Sequence, residues 1–208
     1  LENPIGFDLA PDMPRGRAPF HSSSEGRDSR RRDVLAGPFT DTSPDSWGRK
    51  LIRRVHGEGA TEFDYLVAAD DKARQGALRF LNEEGEVFHP DQAPVPRLAN
   101  IEELRAIAAR YERDPDGAEA EARDLVGAAG SLGGARPKAN VVDGQELWIA
   151  KFTSIDDTWP VERLEIATLN MARAVGIRTP EARLELAASR HPVGLIKRFD
   201  RRQGGRLP

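Results

Sequence analysis

The sequence contains no cysteine. That excludes disulfides, zinc–thiolate centres, iron–sulfur clusters and thiol catalysis together. Histidine is scarce: His21, His56, His89 and His191 are scattered, and no pair has metal-ligand spacing. No stretch approaches the roughly 18 consecutive apolar residues that a membrane helix needs. The start has neither a charged nor an apolar leader segment, so no signal peptide is expected and a cytoplasmic location is the default. The chain opens on Leu1 rather than Met, which suggests a trimmed start. Aromatics make up only 6%. Neither charge sign dominates, with Lys+Arg 31 against Asp+Glu 34 and a net charge of -3. A near-neutral total excludes a chain that coats nucleic acid by bulk charge. Lysine is also rare, with five against 26 arginines. What remains is 208 residues with 38% hydrophobics, enough for one large domain or two small ones.

Residues 1–33 are poor in periodic hydrophobes, and residues 15–33 carry Arg15, Arg17, Arg27, Arg30, Arg31 and Arg32 among Ser and Gly. Two readings stand for this segment: a solvated loop, or a basic arm for phosphate. Ser43-Pro44 reads as an N-cap with proline at the first helical position, followed by Trp47, Leu51, Ile52 and Val55 on one face. A short helix is expected from Thr61, with Phe63, Leu66 and Val67 inward. Residues 76–81 alternate as a strand, with Val87-Phe88 pairing back. Pro90, Pro94 and Pro96 mark a boundary, giving domains 1–98 and 99–208. Asn100 with Glu103 predicts a capping box for a helix through Tyr111, and a weak helix follows from Ala118 to Leu125.

A glycine-rich passage, residues 127–138, comes next. Strands are expected at 139–142 and 147–152 around an Asp143-Gly144 turn. A helix over about 160–175 presents Val161, Leu164, Ala167, Thr168, Met171 and Val175 as its inner face, with Gly176 as a left-handed stop. Strands at 182–187 and 193–199 close the sequence. The fold class is therefore α+β.

This order has a chemical logic if a nucleoside triphosphate is bound. A glycine-rich loop lets backbone N–H groups approach phosphate oxygens. A lysine on the strand behind it, Lys151, supplies a point charge, and a glutamate on the next helix can hold that lysine. Glu162 and Glu165 are available; Glu162, in the first turn, is the assignment made from sequence. Lys197-Arg198-Phe199 leads into a hinge that could bond an adenine edge. The loop is neither a Walker A motif nor the G-x-G-x-x-G of typical kinases. Three of the five lysines, Lys138, Lys151 and Lys197, fall in these elements, as expected where a lysine is needed as lysine.

Ser131-Leu132-Gly133-Gly134-Ala135-Arg136-Pro137-Lys138-Ala139, followed by Trp148-Ile149-Ala150-Lys151-Phe152, resembles the HipA family of bacterial serine/threonine kinases, the toxins of type II toxin–antitoxin pairs. Gly6-Phe7-Asp8-Leu9, Ser43-Pro44-Asp45-Ser46-Trp47-Gly48-Arg49, Gly76-Ala77-Leu78-Arg79-Phe80 and Arg198-Phe199-Asp200-Arg201 fall in the family's order. The resemblance implies an N-terminal subdomain followed by a protein-kinase-like small lobe, an antiparallel sheet with one packed helix. It implies that Ser131 is the autophosphorylated loop serine whose modification switches the enzyme off. It also implies that Gly133, Gly134 and Ala135 cover the phosphates, that Lys151 contacts them, and that Lys197 and Phe199 are hinge positions. Lys197 stands where relatives often have Glu. ATP and Mg²⁺ are the implied cofactors. The implied partners are a helix-turn-helix, HipB-like antitoxin, DNA through that antitoxin, and a protein substrate such as an aminoacyl-tRNA synthetase.

Kinase chemistry also needs a base and an Asp and Asn for Mg²⁺. No asparagine follows Asn170 and no catalytic-loop pattern occurs, so the metal ligands are expected beyond residue 208, in a helical large lobe absent from this chain. The expectation is the N-terminal portion of a kinase, inactive alone. Two rivals stand beside it: a non-catalytic module that docks an antitoxin or a separate kinase lobe, and a nucleic-acid binder using Arg30-Arg31-Arg32.

Overall fold

The computed structural model describes residues 37–40, 42–86, 95–129, 132–202 and 205–206. The Arg-rich segment 15–33, the pairing of Val87-Phe88 and Ser131 lie outside the described residues. Helices α1 (Gly37–Thr40), α2 (Ser46–His56), α3 (Glu62–Ala68), α4 (Ile101–Arg113) and α5 (Glu119–Ala129) precede a four-stranded antiparallel sheet. Its strands are β1 (Lys138–Asp143), β2 (Glu146–Lys151), β3 (Ala182–Glu185) and β4 (Val193–Lys197), in spatial order β1-β2-β4-β3. Helix α6 (Val161–Ala174) connects β2 to β3, and a short ribbon, β5 (Arg201–Arg202) with β6 (Gly205–Arg206), follows. The architecture is α+β, as the sequence predicts. No helix among the described residues is long and apolar enough to cross a membrane.

Asp143 pairs with Glu146, so β1 and β2 join through a two-residue turn in which Gly144 takes φ +60°. That is the positive φ a tight hairpin demands. In the resulting register Ala139, Val141, Trp148, Ala150, Val193 and Leu195 are buried in one cluster with Trp47, Leu51, Tyr111 and Leu125. The cluster thus draws on both sides of the 98/99 division. Trp47 stands edge-on to Tyr111, with ring centroids 5.6 Å apart, and its indole N–H donates to the Lys138 carbonyl at 2.9 Å. One side chain therefore packs the core and pins the start of β1 to α2.

Several local expectations are corrected. Helix α2 starts at Ser46 with Asp45, not Ser43, at the cap position. Asn100 makes no capping bond: the 3₁₀ turn Leu98–Asn100 leaves it at φ −95°, ψ 12°, not the extended backbone an N-cap uses. The capping box forms instead at Thr61 and Asp64, where Thr61 is extended. Phe63 points outward, while Tyr65 and Leu66 are buried. Residues 76–81 form no regular strand beyond an isolated bridge position at Leu81. Ionic ties hold that segment: Arg79 forks onto Asp71, and the Gly76 N–H donates to Asp200 at 3.3 Å.

The inner face expected for α6 is also corrected. Leu164, Met171 and Val175 are exposed, and Glu162 and Ile166 are the buried positions. Glu162 lies against the sheet over Gly194, its Cβ 3.4 Å from where a Gly194 Cβ would stand. The stop at Gly176 forms as expected, at φ +87°. Its N–H donates to Arg173 O, and the Ile177 N–H donates to Ala172 O, the paired bonds of a Schellman ending.

Candidate functional site

The site grows from the β1–β2 register. Lys138 pairs with Lys151, and Lys151 with Gly194, so the two lysines are cross-strand neighbours on one sheet face. Like charges directly opposite repel, and the structure treats the two ammonium groups differently. Lys151, about a third exposed, forms an ion pair with Glu165 from α6. The sequence reading assigned this role to Glu162, which is corrected. Glu162 lies one turn earlier, buried, where its carboxylate accepts from the Thr153 hydroxyl at 2.9 Å and from Arg136 at 3.3 Å. Both glutamates share a helix face at i, i+3 spacing, and strand register decides which one reaches the lysine.

Lys138 is 6% exposed, and its Nζ has no hydrogen-bond partner among the described residues. Burial pushes the ammonium down to about 8, with Lys151 adding to the effect and Asp45 opposing it. The group lies under the glycine loop: a Cβ added to Gly134 would stand 3.1 Å from Nζ. Gly134 has φ +95°, a conformation that favours glycine, and its backbone is exposed.

The loop is held at both ends. The Asp45 carboxylate leaves its own helix uncapped and accepts from the Gly134 N–H at 2.8 Å. Gly133 is just as close, its added Cβ 3.2 Å from the same oxygen. The Trp47 N–H donates to Gly134 O at 3.1 Å. Downstream, the Arg136 guanidinium forks onto Asp157, one bond at 2.8 Å, and reaches Glu162. The Arg136 hydrogen bond holds Asp157 below the usual carboxylate range against its partial burial, with the Ser154 N–H assisting. Ala135, exposed, lines a cavity of about 370 Å³ with Trp47, Lys50, Arg54, Tyr111 and Ile155.

The residues expected at a hinge lie further along the sheet. Lys197 pairs with Trp148, three positions from Lys151, and its ammonium is ion-paired with Glu146 and, at 3.6 Å, with Glu181. Its N–H donates to Glu181 O at 2.8 Å. The Phe199 ring is exposed. Between them Arg198 is buried; it binds Asn140 at 2.9 Å, Arg74 O at 3.2 Å, Ala73 O, and Asp200 through Nε at 2.8 Å. The structure thus brings Gly133, Gly134, Lys151 and Glu162 together and sets Lys197 and Phe199 apart, along β4. The sequence gives no role to Asp45 or Arg136 in the candidate site, and it singles out Lys138 only through the scarcity of lysine.

Residues 130–208 match the HipA-like C-terminal domain family. That segment is similar to the HipA-like C-terminal domain. The matched stretch runs from the glycine loop through both facing lysines, α6 and the residues after β4. No curated protein matches the chain. The HipA-like segment ends a sheet whose charged face holds two ammonium groups and one glutamate partner under a side-chain-poor loop. Cationic groups beside a glycine-rich backbone are a donor set chemically compatible with a polyanion.

Proposed function

We propose that this chain is the nucleotide-binding portion of an ATP- and Mg²⁺-dependent protein serine/threonine kinase of a toxin–antitoxin pair. The observation that carries the reading is the Lys151–Glu165 ion pair beside a glycine loop. A strand lysine held by a glutamate from the next helix is the arrangement protein kinases use to orient triphosphate. Lys151 would hold phosphate oxygens, Gly133, Gly134 and Ala135 would cover them, and the backbone near Lys197 and Phe199 would meet the base. Bound ATP supplies the transferable phosphoryl group. Ser131 would be its own regulatory target, and its phosphorylation would end activity. The protein would work in the cytoplasm, with a helix-turn-helix antitoxin, operator DNA through that antitoxin, and a protein substrate such as an aminoacyl-tRNA synthetase as partners. Base and Mg²⁺ ligands would come from outside these residues.

Titration of the chain with ATP and Mg²⁺ tests this. Lys151→Met should weaken binding roughly 10-fold or more, the worth of a charge-assisted hydrogen bond. In a longer protein that arrests growth, the same change should abolish the arrest. Equal binding or equal arrest would contradict the role of Lys151.

One observation favours a second reading, a non-catalytic docking module. Leu164, Met171, Val175 and Ile177 form an exposed apolar stripe on and after α6. A separate kinase lobe or an antitoxin would cover it. Binding of such a partner by Lys151→Met, with no nucleotide bound by the unmodified chain, would favour the module.

A further inference from the structure

The chain leaves the sheet at Lys197, the end of β4, and residues 198–200 belong to no strand. Two backbone bonds end here: the Lys197 N–H on Glu181 O and the Arg198 N–H on Leu147 O. Beyond them no ladder fixes the path, and side chains do so instead. The buried Arg198 guanidinium reaches in three directions: to Asp200 two residues on, to the Ala73 and Arg74 carbonyls, and to the Asn140 side chain on β1 at 2.9 Å. Asp200 in turn accepts from the Gly76 N–H at 3.3 Å and from Arg201 at 2.7 Å. Residues 73–76 therefore wall the turn after β4. Asn140 carries the network further. It is fully buried; its oxygen accepts from Arg198 and its amide donates to Ala128 O at 2.9 Å. Ala128 is one residue from the end of α5, where the glycine-rich passage continues. An amide engaged through both its oxygen and its nitrogen has one orientation, and buried networks of this kind, fully satisfied, are rigid.

We propose that Arg198 and Asn140 are positioning residues for the nucleotide base: they fix the turn after β4 and set its distance from the root of the glycine loop. This rests on the nucleotide reading of the site and adds residues that the reading does not require. Neither side chain touches the base; both act through the backbone of residues 197–199. The planar fork of an arginine serves three directions at once, which a lysine ammonium cannot do with the same geometry. Phosphate binding at Lys151 stays outside their reach, so their effect falls on the base alone.

ATP and inorganic tripolyphosphate, titrated in parallel into the whole chain, separate the two ends. ATP should bind the tighter of the two. Arg198→Lys should weaken ATP roughly 10-fold, the worth of a misplaced hydrogen bond, and leave tripolyphosphate within about 2-fold. Asn140→Ala should act in the same direction by roughly 3-fold. Lys151→Met should weaken both ligands. One readout needs no variant to fold. At matched saturation of the unmodified chain, ATP should slow exchange of the Gly76 amide at least about 3-fold more than tripolyphosphate does. Equal losses for both ligands in Arg198→Lys would mark a merely structural residue and overturn the proposal. So would unchanged ATP affinity with Lys151→Met still weakened, or equal Gly76 exchange under both ligands; either leaves the nucleotide reading standing. No binding of ATP or tripolyphosphate by the unmodified chain defeats both readings together.

Discussion

Replacing Lys138 with methionine should stabilise this protein, and the size of the gain can be worked out. The ammonium falls from 10.5 to about 8 on folding, mainly through burial. The folded chain therefore holds this proton less tightly than the unfolded chain does. For a base shifted in that direction, the charged form costs native stability at every pH below about 8. The cost fades as pH climbs from about 8 toward the unfolded 10.5. At about 1.4 kcal/mol per pH unit over that interval, it amounts to about 3 kcal/mol at neutral pH. Methionine keeps the length and apolar stem while removing the ammonium, so little packing is lost. Lys138→Met should exceed the unmodified chain by about 2–3 kcal/mol at pH 7, or about 4–12 °C in Tm for a chain of this size. Urea denaturation across a pH series, with equal denaturant slopes, is the assay. The gap between the two proteins should close as pH rises through the 8 to 10.5 interval, with every other titration common to both. A Lys138→Met protein that is less stable at pH 7, or whose advantage is the same at every pH, would refute the reasoning.

Arg198→Ala should destabilise the chain by about 3–5 kcal/mol in urea denaturation, because it strips a buried partner from Asp200 and donors from Asn140 and two backbone carbonyls. A loss below about 1 kcal/mol would show that water or Arg201 replaces it. Asp157, held below its ordinary 3.8, contributes stability that is complete above that value and is lost as pH falls through its lower folded value. A fall in amide-exchange protection factors over residues 133–136 on acidification below pH 3.8, in the unmodified chain but not in Asp157→Asn, is the expected signature. Identical pH profiles for the two proteins would remove Arg136–Asp157 as the loop's anchor.

The elements that local chemistry dictates were legible in the sequence. Asp143-Gly144 announced the hairpin, and Gly176 followed by Pro180 announced the end of α6, because each needs a backbone conformation that few residues accept. What depends on register was not legible. The period of Leu164, Met171 and Val175 says only that one face of α6 is apolar, and the packing of Glu162 and Ile166 puts the other face inward. Glu162 and Glu165 could not be separated by spacing, since both lie on one face and only the position of β2 beneath them selects Glu165. Asn100 and Glu103 had the right letters for a capping box, but a preceding 3₁₀ turn took away the backbone angle the box requires.

The division of labour between the two kinds of basic residue bears on the functional reading. Arginines are spent on forks: Arg49 on Glu62, Arg136 on Asp157, Arg198 on Asp200 and the loop carbonyls. A planar guanidinium suits that task and stays charged when half-buried. If Lys138 were structural, the same logic would have placed an arginine there, with carbonyls or a carboxylate to receive it. Instead a compact ammonium is buried opposite another lysine, with no hydrogen-bond acceptor among the described residues, under a loop that carries no side chains at Gly133 and Gly134. Cross-strand repulsion and desolvation both argue against that placement on stability grounds alone. A ligand that brings its own negative charge reverses both penalties at once, so the arrangement is costly for the empty fold and favourable for one that holds a polyanion.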